Sequence, residues 1–452
     1  MSVVSKFIKK RPDFIKRAFY SIVPFRYRYG SDFRHTFNFL NKSQNWDIEE
    51  LKRYQLNELS CLLVHAYENV PYYRDVFNNL GVHPLDIRST EDLGVLPILT
   101  KDIIRENADR LVDETLDKSK LVKFNTSGST GDKLNFYGSD DMFKKEAAFV
   151  LRAFRSHGAD MYDEPSIWLR RYVPSDGKTL WNYDYELKRL YMSAYHMNKR
   201  TVRSYVDEIN DSRIRTLVGY PSSIYILACF VEDFGLHLPW VKAIHVASEK
   251  VLPEWKDKIE SVLSIRVKAH YGQMEKVSFF YQTRHSDHYT EALEYGVTEF
   301  EKNEETEENT LIGTGFLNYA MPFIRYKMND TAQLLDTSGH FEGLPETVSD
   351  FNGRCDDILT SIDGSKIPGV NFYTMMYKIK GVKMFQIAQV QKDFVHAFIV
   401  PEPDFFDEKT KEQIKKGLKE RLGDINIKIR VVDEIARSKK TGKIRCILNE
   451  AQ

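Results

Sequence analysis

Between residues 216 and 271, short apolar runs alternate with helical stretches, and this rhythm constrains the fold more than any other feature. Thr216 to Gly219 reads as a strand, and Pro221 opens a helix running to about Asp233. Val241 to Ala247 is an apolar strand, Pro253 opens a helix to about Leu263, and Ile265 to Tyr271 is another strand. Strands and helices alternating in this way form βαβ units, so an α/β fold is expected. Ligands of such sheets bind at the carboxyl ends of the strands. Here those ends are Gly219-Tyr220-Pro221, Ala247-Ser248-Glu249 and Tyr271-Gly272-Gln273-Met274-Glu275.

The flanking chain has a different texture. Residues 289–335 alternate short apolar runs with polar turns and are expected to be antiparallel. Glu301 to Asn309 is an acidic hairpin loop. At Gly353-Arg354-Cys355-Asp356-Asp357 the character changes, and a Lys-rich helix follows near Lys409 to Leu422. The expected organisation is a large N-terminal domain, residues 1–352, of mixed βαβ layers plus an antiparallel β subdomain. A small α+β C-terminal domain, residues 353–452, follows it. A chain of 452 residues is too long for one core, in keeping with this division.

Charge and cysteine usage exclude several functions. The 65 basic and 65 acidic residues cancel, which removes any bulk electrostatic case for binding nucleic acid. Cys61, Cys229, Cys355 and Cys446 are far apart. They argue against a disulfide framework or a zinc site and suit a reducing cytoplasm. His285 and His288 have ligand-like spacing without further partners, and a polar turn explains them. No apolar run is long enough to span a membrane, and no apolar segment precedes Lys9-Lys10-Arg11 as in a signal peptide. A cytoplasmic location is expected. Residues 1–30 are basic and aromatic and admit two readings. One is peripheral contact with anionic lipid at the inner membrane face. The favoured one is an amphipathic helix packed on its own domain.

From Thr126 to Gly131 every residue is Gly, Ser or Thr: Thr126, Ser127, Gly128, Ser129, Thr130 and Gly131. Strand-like Leu121–Phe124 and Leu134–Tyr137 flank the run. Backbone N–H groups and hydroxyls converging in such a turn can cradle phosphate. Taken alone, the stretch reads more readily as a flexible hairpin turn than as a phosphate site. No Gly-Lys-[Ser/Thr] follows, so it is not a Walker loop.

In order along the chain come this loop, Tyr271-Gly272-x-x-Glu275, Arg325-Tyr326-x-x-x-Asp330, Gly353-Arg354-x-Asp356-Asp357 and Thr441-Gly442-Lys443. The series resembles the adenylate-forming superfamily of acyl-CoA synthetases. The nearer likeness is to the phenylacetate–CoA ligase branch, which includes homologues associated with capsular polysaccharide biosynthesis. Val70-Pro71-Tyr72-Tyr73-Arg74 and Leu96-Pro97-Ile98-Leu99-Thr100-Lys101 are similar to that branch's N-terminal region.

The resemblance implies an AMP-forming carboxylate ligase. ATP activates a small carboxylic acid to an acyl-adenylate, which then passes to CoA. The alternatives are transfer to an amine or sugar acceptor in polysaccharide biosynthesis, or a catalytically weak binding or scaffold homologue. The resemblance also implies roles residue by residue. The 126–131 loop would hold the β- and γ-phosphates, and Glu275 would ligate Mg²⁺. Tyr271 and Gly272 would lie along adenine and the acyl pocket, with Ser248 and Glu249 at the other adenine edge. Asp330 would accept hydrogen bonds from the ribose hydroxyls, and Arg354 would contact ribose or the α-phosphate. Asp356 would be the hinge of a mobile C-terminal lid, from which Lys443 reaches into the site.

Each residue also has a plainer explanation. Glu275 could be a helix-start carboxylate, Asp330 a turn cap, Arg354 part of a surface ion pair and Lys443 a solvated charge. Only the joint pattern outweighs these. Three positions depart from the family pattern. Met274 stands where Thr usually precedes the glutamate, Met328-Asn329 replaces Thr-Gly before Asp330, and Tyr137-Gly138 replaces a tyrosine-bearing stretch after the loop. The last departure argues against phenylacetate as the acid.

Overall fold

The computed structural model describes residues 13–125, 134–170, 172, 179–194, 196–302, 309–335, 347–352, 358–376, 379–402, 405–435 and 445–450. Among the described residues, six α-helices come first: α1 (Asp13–Ile22), α2 (Phe25–Arg28), α3 (Ser31–Ser43), α4 (Ile48–Asn69), α5 (Pro71–Leu80) and α6 (Lys101–Glu106). Asp47 and Glu50 close a capping box at the start of α4, each side chain accepting from the other's backbone N–H. Phe25 is buried and stacks on Tyr162 at 4.0 Å, and its N–H donates to Asp163 Oδ1 at 3.0 Å. The buried Arg28 donates to the Val23 carbonyl at 2.8 Å. From Tyr20 to Arg28, then, the chain carries side chains packed on its own domain. Residues 1–12 lie outside the described residues.

A hairpin, β1 (Val122–Asn125) and β2 (Asn135–Gly138), pairs Asn125 with Asn135, and α7 (Asp140–Arg155) follows. The central strands and helices then run in order: β3 (Ser166–Arg170), β4 (Trp181–Asp184), β5 (Arg189–Ser193), α8 (Val202–Ser212), β6 (Thr216–Gly219), α9 (Pro221–Asp233), β7 (Ala243–Val246), α10 (Pro253–Leu263) and β8 (Val267–Gly272). Next are β9 (Phe279–Gln282), β10 (Tyr289–Glu291), β11 (Gly296–Lys302), β12 (Asn309–Gly315), β13 (Tyr326–Leu334) and β14 (Thr347–Asn352).

These strands form one 12-stranded sheet in the order β11-β12-β13-β14-β10-β9-β8-β7-β6-β3-β5-β4. Strands β5, β3, β6, β7 and β8 are parallel, as the βαβ rhythm requires. From β9 onward the pairing is antiparallel, and it begins before residue 289. The reason is length: the link from Gly272 to Phe279 is too short for a helical crossover, so the chain must turn back. The two textures seen in the sequence thus share one sheet.

The C-terminal elements are β15 (Ile358–Thr360), β16 (Lys366–Pro368), α11 (Val370–Met376), β17 (Val382–Gln391), β18 (Phe394–Pro401), α12 (Glu408–Leu422), β19 (Asn426–Val431) and β20 (Ile447–Asn449). Four of these strands make a separate sheet, β19-β18-β17-β20. Leu359, Phe372, Ile387, Ile399, Ile414 and Leu418 belong to an apolar cluster distinct from the one spanning Phe25 to Phe351.

Candidate functional site

The carboxyl ends of β7 and β8 lie level. Ile244, His245 and Val246 pair with Val267, Lys268 and Ala269, and Ser248 and Glu249 follow directly after the end of β7. Past β8, the segment after Glu275 crosses over the β11–β12 hairpin. It fits because the hairpin has glycines there. A Cβ on Gly296 would lie 2.7 Å from the Val277 carbonyl oxygen, and one on Gly315 would collide with the Lys276 carbonyl. Lys276 has left-handed backbone (φ 57°), and its buried ammonium donates to Glu146 Oε1 at 2.6 Å. This ion pair and the close crossing fix the direction of Glu275.

Two tyrosine–carboxylate pairs form the centre. The Tyr271 hydroxyl donates to Asp330 Oδ2 at 2.9 Å, and the Tyr326 hydroxyl donates to Glu275 Oε1 at 3.1 Å. Phe351 stacks on Tyr271 at 3.9 Å with rings 5° from parallel. Burial pushes the Glu275 carboxyl above its ordinary value. The hydrogen bond from Tyr326 and the charge of Lys101 pull it back, while Asp330 pushes it further up. Burial and the Asp330 charge together hold the Tyr271 phenol well above its ordinary value. The arrangement is therefore rich in acceptors and short of cations. Three non-glycine residues with positive φ, Ser248 (76°), Lys276 (57°) and Arg325 (54°), occur next to these elements. Strained backbone of this kind concentrates at functional sites.

The structure brings together Tyr271, Gly272, Glu275 and Asp330, with Ser248 and Glu249 on the neighbouring strand end. Glu249 accepts from the Ser222 N–H at the start of α9, at 3.2 Å. The exposed Met274 side chain points outward, and Met328 Sδ accepts from Gln273 Nε2 at 2.8 Å. The loop Thr126 to Gly131 lies outside the described residues, as do Arg354, Asp356 and Lys443. The base of the loop is nevertheless tied to the centre. Asn318 Nδ2 donates to the Tyr137 carbonyl at 2.8 Å, and Phe136 packs on Phe323, which packs on Tyr326.

Sequence reasoning missed Lys101, Arg325 and Tyr326 as parts of this site. Leu99 adds to the start of β13: its N–H donates to the Arg325 carbonyl at 2.9 Å, and its carbonyl accepts from Lys327 N at 3.0 Å. The Arg325 side chain holds Glu299 through both carboxylate oxygens at 2.8–3.1 Å and also donates to the Gly94 and Leu96 carbonyls. Thr100 then caps α6, so Lys101 opens that helix at the Glu275 side of the sheet. The only sequence signal was the Leu96–Lys101 motif itself, which says nothing of its partner strand.

This architecture is shared with solved ligases of the adenylate-forming fold. 2-Hydroxyisobutyryl-CoA ligase, solved with 2-HIB-AMP and CoA, superposes with a TM-score of 0.56 at 18% identity, covering 89% of this chain and 90% of that one. The chain is also similar to Protein CapK of Staphylococcus aureus, 27% identical over 422 residues, covering 89% of this chain and 92% of that protein. Phenylacetate-coenzyme A ligase of Pseudomonas putida is 24% identical over 364 residues, covering 78% and 80%. Residues 359–450 match the CapK C-terminal domain.

Proposed function

We propose that the chain is an AMP-forming carboxylate ligase that makes an acyl-adenylate from ATP and a small carboxylic acid, then passes the acyl group to CoA. The observation that carries this is the pair of tyrosine-held carboxylates, Glu275 just past the carboxyl end of β8 and Asp330 on β13, in a ligase-type sheet. The substrate carboxylate oxygen attacks the α-phosphorus, and the bond to pyrophosphate breaks. The acceptor then attacks the acyl carbon and AMP leaves.

The two substrates are both anionic, so the work of the protein is positioning and charge neutralisation. Thr126 to Gly131 hold the β- and γ-phosphates with backbone and hydroxyl donors. Asp330 accepts from ribose, and Arg354 contacts ribose or α-phosphate. Tyr271, Gly272, Ser248 and Glu249 bound the adenine. Glu275 fits a Mg²⁺ ligand: it is a hard, desolvated carboxylate that accepts from Tyr326 and from its own backbone N–H, and Mg²⁺ takes one or two carboxylates plus phosphates. When bound, that ion neutralises phosphate charge. Residues 353–452 act as a lid turning about Asp356, and Lys443 delivers a cation for adenylation and withdraws for transfer. A cytoplasmic location accords with the lack of any membrane-crossing helix among the described residues.

A second acceptor reading, an amine or sugar in polysaccharide synthesis, is favoured by the likeness to Protein CapK and to its C-terminal domain. ATP–pyrophosphate exchange over aryl, acyl and amino acids tests both. Exchange with CoA-dependent AMP release supports the ligase, and exchange without it supports the other acceptor. No exchange with any acid leaves a binding or scaffold protein. Lys443→Ala is expected to lose exchange while still forming thioester from supplied acyl-adenylate.

A further inference from the structure

A cleft opens at the amino-terminal edge of the parallel strands, the opposite edge from the tyrosine–carboxylate pairs. Its volume is about 600 Å³, within the range of small-molecule sites. Lys242 and Arg266 immediately precede β7 and β8, and His157 and Gly158 follow α7. Lys268, Arg284 and His285 complete the polar lining, which contains no carboxylate. Six residues of β8 separate Arg266 from the far side of Gly272, roughly 20 Å at strand rise.

The charges in this cleft are unbalanced. Lys268 is neutralised, its ammonium lying 2.8 Å from Asp287 Oδ1 and donating to the Ser286 carbonyl at 2.9 Å. Asp287 is also shared with Lys256 at 2.7 Å. Lys242, Arg266 and Arg284 have no side-chain partner among the described residues, although the whole chain is neutral. From His157 in the lining, a chain of imidazoles runs into the sheet. His157 Nε2 lies 2.7 Å from His245 Nδ1, and His245 Nε2 lies 2.7 Å from His270 Nδ1. Phe154 and Phe279 stack against this chain of imidazoles.

We propose that this cleft is a second anion site, built for a compact ligand bearing two or three phosphate groups. Two guanidinium forks supply the bidentate geometry that phosphate oxygens prefer, and Lys242 adds a point charge. The concavity and the unpaired cations raise the local concentration of such an anion. The distance and the intervening strands keep the site separate from the proposed nucleotide site.

The test is calorimetric titration of the full chain with tripolyphosphate, pyrophosphate and ADP, without magnesium, at physiological ionic strength. The expected result is saturable binding of tripolyphosphate that weakens by about tenfold or more in Arg266→Glu/Arg284→Glu. Lys242→Gln, at an exposed position, is expected to weaken it by a smaller factor, and Asp330→Asn to leave it unchanged. Tighter binding of ADP than of pyrophosphate, lost in the same double variant, makes the ligand a nucleotide. Weaker ADP binding makes it a polyphosphate. Binding unchanged in a folded double variant overturns the proposal. So does loss in Asp330→Asn, or no saturable binding at all.

Discussion

At the carboxyl edge of β7 and β8 the charged groups include two carboxylates held by tyrosine hydroxyls. At the amino edge of the same two strands they are cations with little to hold them. Helix polarity contributes to both. α9 and α10 start at the carboxyl edge, so their positive ends favour anions there, while the ends of α7 and α10 favour cations at the other. Burial separates the two cases. Glu275 is enclosed, so its charge is costly and its carboxyl rises above its ordinary value. Lys242, Arg266 and Arg284 are exposed, so their charges persist at little cost. The buried edge is built to accept a cation together with its anionic substrate, and the open edge to recruit an anion from solution. Between them run His157, His245 and His270, joined by two 2.7 Å contacts.

The largest expected effect breaks the carboxyl edge. Glu275→Gln is expected to cut ATP–pyrophosphate exchange by on the order of a hundredfold or more. It should also stabilise the fold. A carboxyl raised by burial stabilises the folded state only while protonated, and that contribution is lost as pH rises through its folded value. The glutamine variant should therefore melt higher at neutral pH, with the gain vanishing in acid. Undiminished exchange removes Glu275 from the site, and a lower melting temperature at neutral pH contradicts the burial argument.

A second change sharpens the electrostatics of that edge. Lys101 favours the ionised form of Glu275, so Lys101→Met is expected to raise the glutamate further. The acid limb of the exchange rate then moves to higher pH, with roughly fivefold loss near neutrality. An unmoved acid limb means that Lys101 does not act through Glu275.

The histidines between the edges give a third prediction. Burial lowers His157 to about 4 and His270 to about 3, and holds His245 well below its ordinary 6.5. The unfolded chain takes up protons that these imidazoles refuse. Stability is therefore full above about pH 6.5 and falls as pH drops toward the folded values, by up to about 1.4 kcal/mol per pH unit for each histidine. His245→Gln should reduce that slope by one proton in urea unfolding measured across this range. An unchanged slope indicates that the native imidazoles are already protonated. The smallest effect is expected from Met274→Thr. Restoring a hydroxyl beside Glu275 at an exposed position should raise exchange by roughly threefold without altering stability.

Much of this was legible in residue order. The Pro-opened helices after Gly219 and before Lys256 announced the parallel layer, since proline presets the first helical turn and lacks only a donor that needs no partner there. The strands flanking the Ser/Gly/Thr run and the Lys-rich helix near residue 409 were equally plain, because each is a local pattern. Tyr271, Glu275 and Asp330 were marked by their motifs. Tyr326 lay inside one of those motifs without a role, because its hydrogen bond to Glu275 crosses strands.

Local chemistry thus determined which segments are strands, helices and turns, and which carboxylates and aromatics lie at strand ends. Tertiary structure alone decided that Leu99 joins β13 and brings Lys101 toward Glu275, and that Gly296 and Gly315 let the chain after Glu275 cross a hairpin. It also gathered Lys242, Arg266 and Arg284, ordinary solvated charges in the sequence, at one edge of the sheet. Periodicity is written by neighbours along the chain, whereas register and burial depend on partners that sequence separation hides.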